Sequence, residues 1–161
     1  MKDKIRTREE LSDIVKDLKN QGKRIVHTNG SYDILHAGHI DTLERAKQLG
    51  DILIVSINSD DSVRRFKGNN RPIMDQEDRA RILSSLECVD FVTIFPEDNI
   101  LETIRVISPS LHVKGGTFLP ERIEEEKKLI ESLGGSFMTL PLTEGKSTTN
   151  IIKKIIESSK K

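Results

Sequence analysis

The stretch Ile25-Val26-His27-Thr28-Asn29-Gly30-Ser31-Tyr32-Asp33-Ile34-Leu35-His36-Ala37-Gly38-His39, continuing through residues 40–49, decides the fold. It opens as a short apolar strand and turns through a small polar loop. It then presents two histidines around a glycine at the start of an amphipathic helix. A helix start leaves backbone N–H groups unpaired and carries partial positive charge, so it seats phosphate readily. His36 and His39 are three residues apart and therefore project from one side of that start. Their ring donors suit negative charge building on a phosphoryl group, and Gly38 lets backbone and ligand approach closely. The plainer reading is a pair of histidines capping a turn. Zinc ligation by His-x-x-His is disfavoured, because Cys88 is distant in sequence and no third ligand has suggestive spacing.

Working outward, Thr7-Arg8-Glu9-Glu10 is a capping box, and Leu11, Ile14, Val15 and Leu18 recur at helical spacing up to Gly22. Residues 23–29 give the first strand, 38–49 a helix, and 52–57 a near-continuous apolar run suited to a strand covered on both faces. Asn58-Ser59-Asp60 reads as a strand end passing into a helix cap, and a short helix over 63–66 precedes the polar, breaker-rich loop 67–72. The pattern turns helical from Asp75, strand-like over 89–94, and helical over 99–107 until Pro109 forces a stop. A strand at 111–114, a charged helix at 120–133, a strand at 136–140 and a helix at 148–158 complete the chain. In the last helix Ile151, Ile152, Ile155 and Ile156 share one side. This alternation predicts an α/β fold: a single Rossmann-like, doubly wound, mostly parallel five-stranded sheet flanked by helices. Residues 1–161 read as one domain, with an N-terminal helix over 1–22 and a catalytic α/β core over 23–161. Ligands of such sheets sit beyond the carboxyl ends of the strands, where the strand order reverses.

The totals bound the function. The 26 basic and 26 acidic residues cancel, so no global field favours nucleic acid or membrane, and an anion site has to be built locally. Cys88 is the single cysteine, which fits a reducing compartment, and no apolar run reaches transmembrane length. The expectation is a cytoplasmic protein whose partners are small molecules.

Three further stretches carry chemistry. Thr28-Asn29-Gly30 is a small turn after a strand and can cup phosphate with its amides, although the three-glycine dinucleotide fingerprint and the P-loop Lys-Ser/Thr pair are both absent. Arg64, Arg65, Lys67 and Arg71 form a cationic run without an acid. It reads as a polyphosphate clamp, above all at Lys67 and Arg71, against the alternative of a solvated loop. Residues 144–150 form a second helix start, where Ser147 or Thr148 can cap the helix and hold phosphate, and they are more polar than capping needs. Asp33, Asp60 and Asp61 are candidates for magnesium, sugar hydroxyls or cations. Cys88 reads as structural.

Thr-Asn-Gly-Ser-Tyr-Asp-Ile-Leu-His-Ala-Gly-His (28–39), Val-Ser-Ile-Asn-Ser-Asp (55–60), Lys-Gly-Asn-Asn-Arg-Pro (67–72), Val-Lys-Gly-Gly (113–116) and Ser-Thr-Thr-Asn-Ile-Ile (147–152) together carry a resemblance over nearly the whole chain. The chain resembles the cytidylyltransferase-like nucleotidyltransferases of the HxGH class. Within them it is most similar to the adenylyltransferase domain of heptose-1-phosphate enzymes of lipopolysaccharide-type heptose synthesis. The resemblance implies that His36, His39 and Lys67 act in catalysis. It implies nucleotide or sugar-phosphate binding by Thr28, Asn29, Gly30, Tyr32, Asp33, Gly38, Asn58, Asp60, Arg71, Arg79, Lys114, Gly115, Gly116, Thr143, Ser147 and Thr148. It further implies ATP as co-substrate, a sugar phosphate as acceptor, and relatives that often form homodimers. The phosphate chemistry itself calls for a bridging divalent cation, Mg2+, and no residue is assigned as a metal ligand. Ser31-Tyr32 stands where relatives of the heptose enzyme usually have Cys-Phe, and Thr117 where they have an acid. The arginine that glycerol-3-phosphate cytidylyltransferases carry is missing from residues 142–145, which weighs toward ATP over CTP. The other readings are a cytidylyltransferase acting on an alditol phosphate and a non-catalytic nucleotide-binding module. An RNA-ligand role is opposed by the neutral charge and short chain.

Overall fold

The apolar runs that begin at Ile25 and Ile52 become the two central strands of the sheet. In the computed structural model, which describes residues 4–115, 120–141, 143 and 145–159, they are β1 (Ile25–Gly30) and β2 (Ile52–Asn58), paired in parallel with Ile25 opposite Ile52. The remaining strands are β3 (Phe91–Phe95), β4 (Leu111–Gly115) and β5 (Ser136–Leu140). All pairings are parallel and the order is β3-β2-β1-β4-β5, so the expected α/β doubly wound sheet is present with five strands. The chain winds outward from β1 to β3, returns to β4 beside β1, and continues to β5. The order therefore reverses between β1 and β4, which is where such sheets open a crevice. Residues Gly116 and Thr117, and Leu142 and Glu144, for which the sequence raised expectations, lie outside the described residues.

Helices cover both faces, which is why Leu53, Ile54, Val55 and Ile57 are all fully buried and why β2 alternates so little. On one face α2 (Ala37–Lys47) and α4 (Gln76–Ser84) bring Leu43, Ala46, Ala80 and Leu83 against Val26, Leu53, Val55 and Val113. On the other, α1 (Arg8–Asn20) sets Leu11 and Val15 against Ile25 and Ile54, while α5 (Leu101–Ile107) and α6 (Pro120–Ser132) enclose Phe95, Ile104 and Ile130. The capping box at α1 forms as the sequence predicts: Glu10 N–H donates to Thr7 Oγ1 and Thr7 N–H to the Glu10 carboxylate.

The differences from the sequence reading have local causes. α3 (Asp60–Lys67) starts earlier than its apolar residues 63–66, at the cap that residues 58–60 announce: Ser59 Oγ accepts the Ser62 N–H there. β3 begins at Phe91 and not at Val89. The Asp90 N–H still donates to the Leu53 carbonyl, but Asp90 Oδ2, paired with Lys47 at 2.6 Å, accepts the Leu53 N–H where a backbone carbonyl would in a continued strand. α5 begins at Leu101 because Asn99 Oδ1 accepts the Leu101 N–H, an Asx turn before the helix. In α7 (Thr148–Ser158) the isoleucine stripe is only partly covered: Ile151 and Ile152 are half-buried, whereas Ile155 and Ile156 are 57% and 50% exposed.

Candidate active site at the strand-order reversal

The carboxyl ends of β1 and β4 place Asn29 and Lys114 on opposite sides of the reversal, and Lys114 Nζ donates to Asn29 Oδ1 at 2.9 Å across it. A cavity of about 520 Å³ opens above this bridge. Asn29, Gly30, Tyr32, His36, Gly38, His39, Asn58, Lys67, Lys114, Gly115, Thr143, Ser147 and Thr148 line it, all of them expected from the sequence.

Its floor on one side is the start of α2. His36 precedes the helix in extended conformation, and the His39 and Ile40 N–H groups donate back to its carbonyl. The two imidazoles stack with centroids 3.8 Å apart and planes 18° apart, and Tyr32 packs against His39 at 5.1 Å. The His36 N–H donates to His39 Nδ1 at a long 3.4 Å, whereas His36 Nδ1 is buried with no partner. An orphaned buried ring nitrogen on a residue that lines a cavity calls for a partner, which a ligand can supply. Burial and the neighbouring His36 push His39 down to about 4, and burial with the Lys146 charge lowers His36, so both rings are neutral at pH 7. Gly38 is required sterically: a Cβ there would lie 2.9 Å from Lys146 Cβ and 3.2 Å from the His36 ring.

The opposite wall is the start of α7, where Ser147 Oγ accepts the Asn150 N–H. Two bonds fasten this wall to the first. Thr148 Oγ1 donates to the Ile34 carbonyl and Thr143 Oγ1 to the Asp41 carboxylate at 2.8 Å. Two helix starts thus face one cavity, as the sequence predicts. Lys67 closes the third side from the end of α3; burial and the nearby Arg71 lower its pKa.

A polar chain runs beneath this site through the sheet. Ser56 Oγ meets His27 Nε2 at 2.7 Å, His27 Nδ1 meets His112 Nδ1 at 2.9 Å, and His112 Nε2 reaches Glu126 at 3.3 Å. Glu126 Oε1 accepts from Lys114 Nζ at 2.7 Å. Burial raises the Glu126 carboxyl, but the His112 hydrogen bond and the Lys114 charge outweigh this and leave it below the usual value. His27 and His112 are fully buried and held neutral chiefly by that burial.

These depressed imidazoles set a direction for acid stability. The unfolded chain takes up protons near 6.5, the folded one only at lower pH, so stability present above pH 6.5 is lost as pH falls toward 4. The melting temperature is expected to drop across that window, and His39→Gln to make the drop shallower. Equal slopes for variant and wild type would refute the His39 contribution.

Several expected site residues lie elsewhere. Thr28 is buried within β1 and does not reach the cavity wall. Asp33 is 2% exposed, pairs with Arg71 at 2.6 Å and accepts the Ile73 and Met74 N–H groups, so both partners staple the 67–74 loop to the β1–α2 turn. Arg79 is completely buried and donates to the Ser31 and Met74 carbonyls and to Asp60 Oδ1. The expected binding residues Arg79 and Asp60 thus pair with each other, and Arg79 also ties the Ser31 and Met74 carbonyls together, a scaffolding arrangement. Asp61 pairs with Arg64 on the surface. Lys146, Thr42 and Phe66 also line the cavity and were not singled out from the sequence. For Lys146 the signal was available, a cation one residue before the Ser147 cap.

Residues 27–154 match the family described as Cytidylyltransferase-like. The chain belongs to the cytidylyltransferase-like family. Within it, the chain is 47% identical over 154 residues to the "Bifunctional protein HldE" of Trichlorobacter lovleyi and 49% identical over 152 residues to that of Geotalea uraniireducens. These alignments cover 96% and 94% of this chain, which spans 31% of the length of either relative. Among solved structures, the lipopolysaccharide core biosynthesis protein from Thermoplasma volcanium superposes with a TM-score of 0.65 at 28% identity, covering 78% of this chain and 100% of that one. The family match includes both of the helix starts that face the cavity, α2 and most of α7.

Proposed function

We propose that residues 1–161 act as a single nucleotidyltransferase domain that joins a sugar phosphate, read as heptose 1-phosphate, to the α-phosphate of ATP. The observation that carries this reading is the stacked, neutral His36–His39 pair, with its unpartnered nitrogen, between two helix starts on one cavity. The heptose-enzyme resemblance of residues 28–39, 113–116 and 147–152 supports the acceptor, as does the lipopolysaccharide name of the Thermoplasma volcanium protein.

In the reaction a phosphate oxygen of the sugar phosphate attacks the α-phosphorus. The new P–O bond forms in line as the bond to the β-phosphate oxygen breaks, and pyrophosphate leaves with the electron pair. A phosphate oxygen is already a competent nucleophile, so no activated serine and no general base is needed. The work of this chain is positioning and charge stabilisation. The imidazole N–H groups and the α2 amides meet the α-phosphate oxygens as charge grows there, Lys67 and Lys146 hold the leaving pyrophosphate, and Ser147 and Thr148 seat the triphosphate at α7.

Among the described residues no group of three or more His, Cys, Asp or Glu side chains converges to hold a metal ion. Asp33 and Asp60 are moreover engaged by arginines. The residues present therefore fit magnesium carried by the nucleotide phosphates, as part of the substrate, better than a resident ion. ATP as donor and the single thiol agree with a cytoplasmic setting, and no described helix is long and apolar enough to cross a membrane.

The test is pyrophosphate release from ATP, CTP, GTP and UTP against heptose 1-phosphate and glycerol 3-phosphate. ATP with heptose 1-phosphate is expected to be fastest. CTP with glycerol 3-phosphate running faster would move the assignment to cytidylyl transfer, and nucleotide binding without pyrophosphate from any pair would make the chain a binding module.

A further inference from the structure

A second cavity of about 270 Å³ adjoins the first on the far side of the Asn29–Lys114 bridge, and Asn29, Asn58, Phe66 and Lys114 line both. The two differ in charge. The described lining of the larger cavity carries histidines and lysines and no carboxylate, whereas Asp98, Glu125 and Glu126 join Lys114, Arg122 and Asn99 around the smaller one. With Asp98 and Glu126 already paired to cations, Glu125 adds a negative charge, uncompensated among the described residues, that disfavours a triphosphate, whereas a carboxylate suits a polyol because it accepts hydroxyl hydrogen bonds. Its volume is at the small end for ligand sites and suits a monosaccharide more than a second nucleotide.

Asp98 is paired with Arg65, and both Glu126 oxygens are taken by His112 and Lys114, so the free groups are on other side chains. Among the described residues Arg122 and Glu125 have no hydrogen-bond or ion-pair partner and are exposed. Asn99 uses Oδ1 on the Leu101 N–H and keeps its NH2 free. Lys114, anchored by Glu126 and Asn29, stands where the cavities meet.

Resting on the transferase reading above, we propose that the smaller cavity is the acceptor subsite and takes a phosphorylated polyhydroxy sugar. Arg122 and Lys114 hold its phosphate at the junction, where one phosphate oxygen faces the α-phosphorus of a nucleotide seated in the larger cavity. Glu125 and Asn99 read its hydroxyls and so determine which sugar is accepted.

The test is calorimetric titration of the full chain with heptose 1-phosphate and with inorganic phosphate, in the presence of a non-hydrolysable ATP analogue. Arg122→Ala is expected to weaken both probes by roughly tenfold or more, as for loss of a charge-assisted hydrogen bond. Glu125→Ala should weaken heptose 1-phosphate by several-fold and leave inorganic phosphate unchanged. The analogue's own affinity should stay within about twofold for both, since neither residue lines its cavity. Unchanged sugar-phosphate affinity in both variants, no sugar-phosphate binding by the wild type, or a parallel loss of analogue affinity would each overturn the assignment. A wild type that binds the sugar phosphate in this way yet releases no pyrophosphate refutes the transferase reading and leaves the subsite standing. A transferase indifferent to both substitutions refutes the subsite alone.

Discussion

His36→Ala or His39→Ala is expected to slow turnover by about 10²–10³, equivalent to roughly 3–4 kcal/mol of transition-state stabilisation. The size follows from the geometry. The rings stack at 3.8 Å on the α2 start and are neutral at pH 7, so in the proposed reaction each would meet the α-phosphate as an oriented hydrogen-bond donor and not as a permanent charge. Such donors strengthen most as the transition state gathers charge, so the loss is expected in kcat more than in the KM for ATP. Folding loses little: the bond between the His36 N–H and His39 Nδ1 is 3.4 Å long, and α2 is held through Leu43 and Ala46 in the core. Pyrophosphate-release kinetics with a thermal melt for each variant checks both halves. Wild-type turnover in either variant would remove that histidine from the chemistry, and a collapsed melting temperature would make it structural.

How far the sequence shows all this depends on the range of the pattern. β1, β2 and the α1 capping box rest on neighbours within a few residues, and apolar runs and Thr7–Glu10 spacing report them directly. His36, Gly38, His39 and Ser147 are legible for the same reason, because a helix start is a local object. The cationic loop is different. Whether Arg71 grips phosphate or staples a turn depends on Asp33, 38 residues away, and nothing around Arg71 announces that partner. The smaller cavity is hidden more completely. Asp98 and Asn99 follow β3, Arg122 and Glu125 sit in the first turns of α6, and only the return of β4 to the side of β1 brings the two segments together. The exposed Ile155 and Ile156 mark the same limit from the other side: helical periodicity identifies an apolar stripe but not what covers it.

Arg79→Ala is expected to destabilise the fold by about 3–5 kcal/mol, a large part of the roughly 5–15 kcal/mol typical of a domain. The guanidinium has no exposed surface and ties three segments together: Ser31 after β1, Met74 before α4, and Asp60 at the start of α3. Removing it leaves two carbonyls without their donor, an unpaired and only partly solvated carboxylate, and a cavity of side-chain size. Arg79→Lys keeps the charge but cannot span three acceptors with one ammonium, so an intermediate loss is expected. Adding Asp60→Asn to Arg79→Ala should recover part of the loss, because the stranded charge is gone. Ser31 lines the candidate cavity and Met74 closes the 67–74 loop that carries Lys67, so the folded fraction should also bind ATP more weakly. Denaturant titration of the three variants beside ATP affinity separates this from a direct phosphate contact. An Arg79→Ala protein as stable as wild type, altered only in ATP binding, would return Arg79 to the nucleotide site and refute the scaffold role.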